Sequence, residues 1–351
     1  MKQVHIGIIG LGTIAETSHL VHLKELEGVT ITAVADLNKE RAKQIAETYH
    51  IPLHFSDTKK MLDTAELDAV VICTPNTTHI PIARMAAEKN IHVLMEKPIG
   101  TDLSQVEGYL ELANQHHVMT MVGMTHRFRN DAAILKEYIQ RGKLGNIYYA
   151  KAKLLRRRGT PKGWFTDKGL SGGGAMMDIG VHVLDLAWWL IGTPNFQSIS
   201  GHTLKALGAY KTRFSSSWES SNKQLNPSFI FDVEDFGSAW IRFSNGVVLS
   251  LEVAWAMNGE EDGNISIEIL GDGGGGSLSP LSIFEEENDV VVKKHPYVEN
   301  ISPFRKELQH FIDCIRSGDH PLPDGAQGYE VLKMLHGVYE SSEKQKEISY
   351  S

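Results

Sequence analysis

With 351 residues, 42% hydrophobic and 22% charged, the chain has the composition of an ordinary globular protein and the length for two domains with a sizeable core. Its net charge of -8 argues against nucleic acid as a partner, because phosphate binding needs a concentrated basic surface and the one short basic run is Arg156 to Arg158. No apolar stretch reaches membrane-spanning length, the N-terminus enters a strand too soon for a signal peptide, and the two cysteines, Cys73 and Cys314, lack metal or redox spacing, so packed thiols in the cytoplasm are expected.

From Val4 to Ala15 the chain reads as a buried strand that breaks into Gly10-Leu11-Gly12-Thr13-Ile14-Ala15. Gly10 permits a sharp turn, Gly12 lets backbone approach a pyrophosphate, and Ala15 is small enough for the following helix to pack on the strand. A helix is predicted over Thr13 to Leu26, and its N-terminal N–H groups and positive dipole end would face phosphates. A second strand, Thr30 to Ala35, ends at Asp36, about twenty residues beyond Ala15 as a dinucleotide fingerprint requires. A carboxylate there accepts both ribose hydroxyls of NAD and repels the extra phosphate of NADP. Lys39 and Arg41 leave NADP open.

Helices are then predicted near Lys39 to Tyr49 and Thr58 to Thr64, with a strand at Ala69 to Thr74. A helix from Ile80 to Lys89 leads to a strand at His92 to Glu96, and one from Ser104 to His116 to a strand at Met119 to Gly123. Strands alternating with helices of this length imply right-handed crossovers and a parallel sheet, so a first domain is expected over residues 1–123. Residues 124–351 change character, with alternating runs at Ile147 to Arg156, Ser238 to Phe243, Val247 to Trp255 and Ile265 to Leu270 predicting a large, mainly antiparallel sheet. Ser215 to Pro227 reads as a surface loop, and Gly273 to Gly276 as a flexible hairpin tip. Two C-terminal helices are expected within 303–344, separated by Gly318, Pro321 and Pro323.

Two groups of residues could carry chemistry. Lys97 follows the strand His92 to Glu96 directly, at the carboxyl end where open parallel sheets bind ligands. Gly172-Gly173-Gly174 opens a helix ending near Gly192 on which Asp178, His182, Asp185 and Trp189 share one face and Met177, Val181, Leu184, Trp188 and Ile191 form an apolar one. Asp178 and His182 are either a base with its orienting partner or a structural pair satisfied by backbone. Zinc would want three protein ligands, and no such spacing exists, so no metal is expected.

These motifs in order resemble one family. Gly-x-Gly-x-x-Ala, Thr74-Pro75-Asn76 with His79, Glu96-Lys97-Pro98, Arg127-Phe128 and Gly-Gly-Gly-x-x-x-Asp-x-Gly-x-His are similar to the glucose-fructose oxidoreductase, inositol dehydrogenase and rhizopine catabolism family. The resemblance implies an α/β fold, a Rossmann domain with a doubly wound parallel sheet followed by an α/β domain with an open sheet that often mediates dimers or tetramers. It implies hydride transfer between a nicotinamide cofactor and a secondary hydroxyl of a sugar, sugar derivative or cyclitol. Carried over by residue, Lys97, Asp178 and His182 match its catalytic trio. Neutral His182, with a pKa near the working pH, would accept the hydroxyl proton, Lys97 would polarise the oxygen, and Asp178 would orient it.

The same resemblance places Thr74, Pro75, Asn76 and His79 in the cofactor cleft with Gly10, Gly12, Thr13, Ile14 and Asp36, and Glu96 beside the nicotinamide ribose. Arg127 has two readings, substrate contact or an ion pair between domains. Arg156 and Arg158 would point to one side of their strand with Arg157 opposite, so that Arg156, with Trp164 stacking on a sugar ring, would contact substrate unless the strand end is simply solvated. Two other functions remain open, glycoside hydrolysis through transient oxidation by a tightly held NAD, and a non-catalytic dinucleotide-binding sensor.

Overall fold

The computed structural model describes residues 2–210, 230–263 and 265–350; the loop expected over 215–227 lies outside them. Buried apolar side chains on both faces mark the first strands as the interior of a parallel sheet. β1 (Val4–Ile9), β2 (Val29–Ala35), β3 (Leu53–Phe55), β4 (Ala69–Ile72), β5 (His92–Glu96) and β6 (Thr120–Gly123) pair in the order β3-β2-β1-β4-β5-β6, all parallel. The short β3 has no counterpart in the sequence reading, its three residues giving too little alternation to register.

Crossovers are made by α1 (Leu20–Glu25), α2 (Lys39–Tyr49), α3 (Thr58–Thr64), α4 (His79–Ala87) and α5 (Leu103–Gln115). Side-chain caps start three of them, Asn38 accepting from the N–H of Arg41, Asp57 from that of Lys60 and Asp102 from that of Gln105. Ahead of α1 the chain makes one wide π-helical turn, Ala15–His19.

Beyond α6 (Asn130–Gln140), the strands β7 (Ile147–Leu155), β8 (Phe196–Leu204), β9 (Phe236–Phe243), β10 (Val248–Ala254), β11 (Ser266–Gly271), β12 (Gly275–Leu278), β13 (Ser282–Glu287), β14 (Val290–Lys294) and β15 (Ile348–Ser349) build a second sheet. Its order is β14-β13-β12-β11-β7-β10-β9-β8-β15, antiparallel throughout the described pairs except β7 with β10. Gly275 and Gly276 belong to β12, paired with Leu270 and Ile269 and with Phe284 and Ile283, so the expected glycine hairpin tip shrinks to the turn before Gly275. Glycine composition hid a paired strand.

α7 (Lys168–Ser171), α8 (Val181–Leu190), α9 (Pro303–Ser317) and α10 (Gly325–Lys344) complete the chain. Pro303 opens α9 and Gly318, at φ +80°, closes it. The sequence reading groups α9 with the second sheet, whereas its apolar stripe, Leu308, Phe311, Ile312 and Ile315, packs on one face of the first sheet beside α1 and α2. The other face continues through α4, α5, α10 and α8 into the covered side of the second sheet.

Candidate active site

The order of the first sheet reverses between β1 and β4, and ligands of open parallel sheets bind beyond the carboxyl ends of the strands at such a point. A cavity of about 870 Å³ opens there, running from Gly12, Thr13 and Ile14 past Thr74, Asn76, His79 and Glu96 to Lys97, Asp178 and His182. Gly10 makes the turn out of β1 at φ +85°, and a Cβ on it would stand 2.8 Å from the carbonyl carbon and oxygen of Cys73. The helix that follows has no side-chain cap at its N-terminus, the end at which a helix dipole favours an anion. Asp36, at the end of β2, accepts the N–H of Leu11 at 2.9 Å and that of Asn38 at 2.8 Å, fixing a carboxylate against the glycine turn. Arg41 is already committed, to Glu16 at 2.5 Å and to the carbonyl of Leu11 at 3.1 Å. These features fit the adenosine and pyrophosphate of NAD. Gly10, Asp36 and Pro75 frame this end without being among the residues that line the cavity.

His79 is buried, with ring nitrogens 2.8 Å from the carbonyl oxygens of Pro98 and Thr74, so it ties the loops after β4 and β5 together. Asn76 likewise donates to the carbonyl of Ser171 at 2.8 Å. Glu96 meets His19 at 2.7 Å. Burial alone would raise its carboxyl, but the His19 hydrogen bond, with the charges of His19, Lys97 and His79, brings it below the usual carboxylate range.

At the far end, the Lys97 ammonium donates to Asp178 twice, to Oδ1 and to the backbone carbonyl, both at 2.9 Å, and Trp255 donates its indole N–H to Asp178 Oδ2 at 3.0 Å. Two elements far apart in sequence are thereby joined: Lys97 leaves β5, and Asp178 sits on a π-helical turn, Met176–Gly180, that opens α8. His182 lies one turn on, its Nδ1 buried without a partner. Burial, then the charges of Lys97 and Arg156, hold its pKa well below the ordinary histidine value, lower than the near-neutral value expected from sequence. His126 packs edge-on against it, ring centroids 4.8 Å apart, and burial with Arg129 and Lys97 nearby pushes His126 down to about 4. Both rings stay neutral.

Arg156 and Trp164 line the same cavity, Trp164 stacked on Phe165 at 4.1 Å. Arg158 does not follow Arg156, bonding instead to the carbonyl of Met257 and to Asn258. Arg127 does not line the cavity. It is buried, forked onto Asp185 at 2.8 and 2.6 Å and bonded to Gln327 at 2.7 Å, so it makes an ion pair, though with partners inside the expected segment 124–351 and not between domains.

Sequence reasoning missed His126, Trp255, the His19–Glu96 pair and Glu307. His126 carried a usable signal, since it follows β6 at the same carboxyl edge as Lys97. The other three depend on contacts between distant segments. Glu307, fully buried on α9, accepts the Thr125 hydroxyl at 3.0 and 3.1 Å, and burial, with the Glu96 charge second, pushes its carboxyl well above the usual range.

Comparison with known proteins bears on the family and the fold. Residues 4–124 match the family model described as oxidoreductase family, NAD-binding Rossmann fold, and residues 136–349 that described as oxidoreductase family, C-terminal alpha/beta domain. The chain is 30% identical to D-glucoside 3-dehydrogenase of Escherichia coli (strain K12) over 347 residues, 97% of this chain and 96% of that one. It is 26% identical to scyllo-inositol 2-dehydrogenase (NAD(+)) of Bacillus subtilis (strain 168), covering 91% and 88% of the two chains. Among solved structures, levoglucosan dehydrogenase in complex with NADH and levoglucosan superposes with a TM-score of 0.87 at 23% identity, covering 99% of each chain, which bears on fold. An NAD-binding turn, a second α/β layer and a lysine joined to an Asp/His helix thus meet in one chain, which belongs to the glucose-fructose oxidoreductase, inositol dehydrogenase and rhizopine catabolism family of oxidoreductases.

Proposed function

We propose that this protein is an NAD-dependent dehydrogenase that oxidises a secondary hydroxyl of a sugar, sugar derivative or inositol, with Lys97, Asp178 and His182 as its catalytic residues. The observation that carries this reading is the convergence of Lys97 and Asp178, 2.9 Å apart, beside His182 in the cavity that begins at the glycine turn. Dehydrogenases of glucosides and inositols among the relatives support the same chemistry. The Asp36 carboxylate and the prior commitment of Arg41 favour NAD over NADP.

When bound, the nicotinamide supplies the hydride acceptor. An ammonium has three N–H groups, and Lys97 spends two on Asp178, leaving one for the hydroxyl oxygen that is losing its proton. Asp178, with one oxygen on Lys97 and the other on Trp255, retains lone pairs for a neighbouring hydroxyl and keeps the lysine from wandering. His182, neutral, takes the proton. Trp164 offers a ring face and Arg156 its guanidinium to the remainder of the substrate. The same reading gives a cytoplasmic enzyme, in keeping with two free thiols at Cys73 and Cys314, and a homodimer or homotetramer.

The test is NAD reduction across inositols, hexoses, glycosides, sugar phosphates and uronates. One or more should produce NADH, and Lys97→Ala and His182→Ala should each lower kcat at least ~100-fold without changing the fold. Full turnover in either variant would remove the role assigned to it, and NADH binding without turnover on any member would favour a sensor.

A further inference from the structure

The helix that carries Asp178 and His182 begins at Gly172-Gly173-Gly174, and the first N–H groups of any helix lack partners within it. Here three in succession end on a single distant residue. Glu234 accepts the N–H of Gly174 on Oε2 and that of Met176 on Oε1, both at 2.9 Å, and its backbone carbonyl accepts the N–H of Ala175 at 3.1 Å. Tyr339 of α10 donates its hydroxyl to Oε1 at 2.8 Å. The approach is so close that a Cβ at position 174 would stand 1.8 Å from the carbonyl oxygen of Glu234, so only glycine fits.

The next residue reaches Asp178 by a second route. The carbonyl of Asp235 accepts the backbone N–H of Trp255 at 2.8 Å, and the fully buried Trp255 indole is the donor to Asp178 Oδ2. Asp235 is itself locked, its carboxylate taking the N–H groups of Ala206, Leu207 and Gly208 at 2.6, 2.8 and 2.5 Å. Two adjacent residues therefore fix both the turn that bears Asp178 and the indole that holds its side chain.

We propose that Glu234 is a positioning residue for the reaction, acting through the Gly174–Met176 turn, and in concert with Trp255, to aim the Asp178 carboxylate at Lys97. This rests on the assignment of Asp178 to catalysis. Neither residue lines the cavity, so neither needs to touch substrate. Their effect is geometric, and misplacing a reacting group by about 1 Å costs on the order of 100-fold in rate.

The test compares Glu234→Gln and Trp255→Phe with the wild type in turnover, in Tm and in the indole N–H NMR signal of Trp255, identified among six tryptophans by its loss in Trp255→Phe. Glutamine keeps the volume but turns one acceptor into a donor that faces an N–H. In Glu234→Gln kcat is expected to fall about 10- to 100-fold, KM for NAD to stay within roughly twofold because the Gly10 turn is untouched, and the indole signal to move. Glu234→Asp, with its charge kept and its reach shortened, should fall between. The double variant should lose less than the product of the single losses, since both act through Asp178. Wild-type kcat in folded Glu234→Gln with only Tm lowered, or an unmoved indole signal, overturns the proposal. If Glu234→Gln does not fold, Tyr339→Phe removes one donor to the same carboxylate; the same pattern at smaller amplitude supports the proposal and an unchanged kcat overturns it. Failure of the wild type on every polyol would overturn the dehydrogenase reading, whereas the indole signal needs no substrate and decides the positioning separately.

Discussion

His182 is held neutral by its surroundings rather than by its own chemistry, because burial and then the charges of Lys97 and Arg156 disfavour a proton on the ring. A depressed pKa keeps the proton-accepting form populated to pH values well below the ordinary histidine range. The acid limb of kcat/KM should therefore lie below about pH 6.5; a midpoint at or above that value would contradict neutral His182 as the base. Lys97 is the largest charged contributor, so Lys97→Met should raise the His182 titration midpoint, read by NMR of its imidazole. A midpoint that stays put would mean that the ammonium does not reach the ring. At this same scale Asp178 could be picked out from sequence by its place one turn before His182, but its Trp255 partner could not, because seventy-seven residues separate them.

Arg127, Asp185 and Gln327 join three elements, the turn after β6, α8 and α10. The pair is almost fully buried, and burial raises the Asp185 carboxyl more than the Arg127 guanidinium lowers it. Such a pair is a weak net stabiliser but a costly one to break, since removing one partner strands the other charge away from water. Asp185→Asn should destabilise the protein by about 3–5 kcal/mol, seen as a lowered Tm, while Arg127→Met with Asp185→Leu should recover part of the loss. An unchanged Tm in Asp185→Asn would mean that water already reaches the guanidinium. The sequence grouped Asp185 with Asp178 and His182 on one helical face, whereas Asp178 and His182 line the cavity and Asp185 is buried against Arg127, because a periodicity cannot say which charged residue faces a cavity.

On the scale of the whole molecule, helices cover one face of the second sheet, and among the described residues the other face mixes Tyr149 and a 39% exposed Trp240 with the Lys151–Glu268 and Lys153–Glu252 ion pairs. Aromatic residues rimmed by charge suit a face shared between copies of the chain. Sedimentation velocity should give the mass of two or four chains, and Trp240→Glu should shift it towards one. A monomeric wild type at micromolar concentration would end the assembly reading. α9 works at the same scale, covering the first sheet although it follows the second in sequence, and its Glu307 lies beneath the cavity floor through Thr125.

The sequence by itself determined the parallel β/α alternation, the glycine turn with Asp36 after β2, the lysine at the end of β5 and the spacing of Asp178 and His182. All of these are local, set by periodicity of two or 3.6 residues and by backbone demands at single positions. Only the tertiary structure decided that Lys97 reaches Asp178, that Glu234 and Trp255 anchor that aspartate, that Arg127 is a buried tie, and that α9 returns to the first sheet. These outcomes depend on which distant surfaces exclude water together, and burial, not residue type, then sets the charge state of His126, His182 and Glu307.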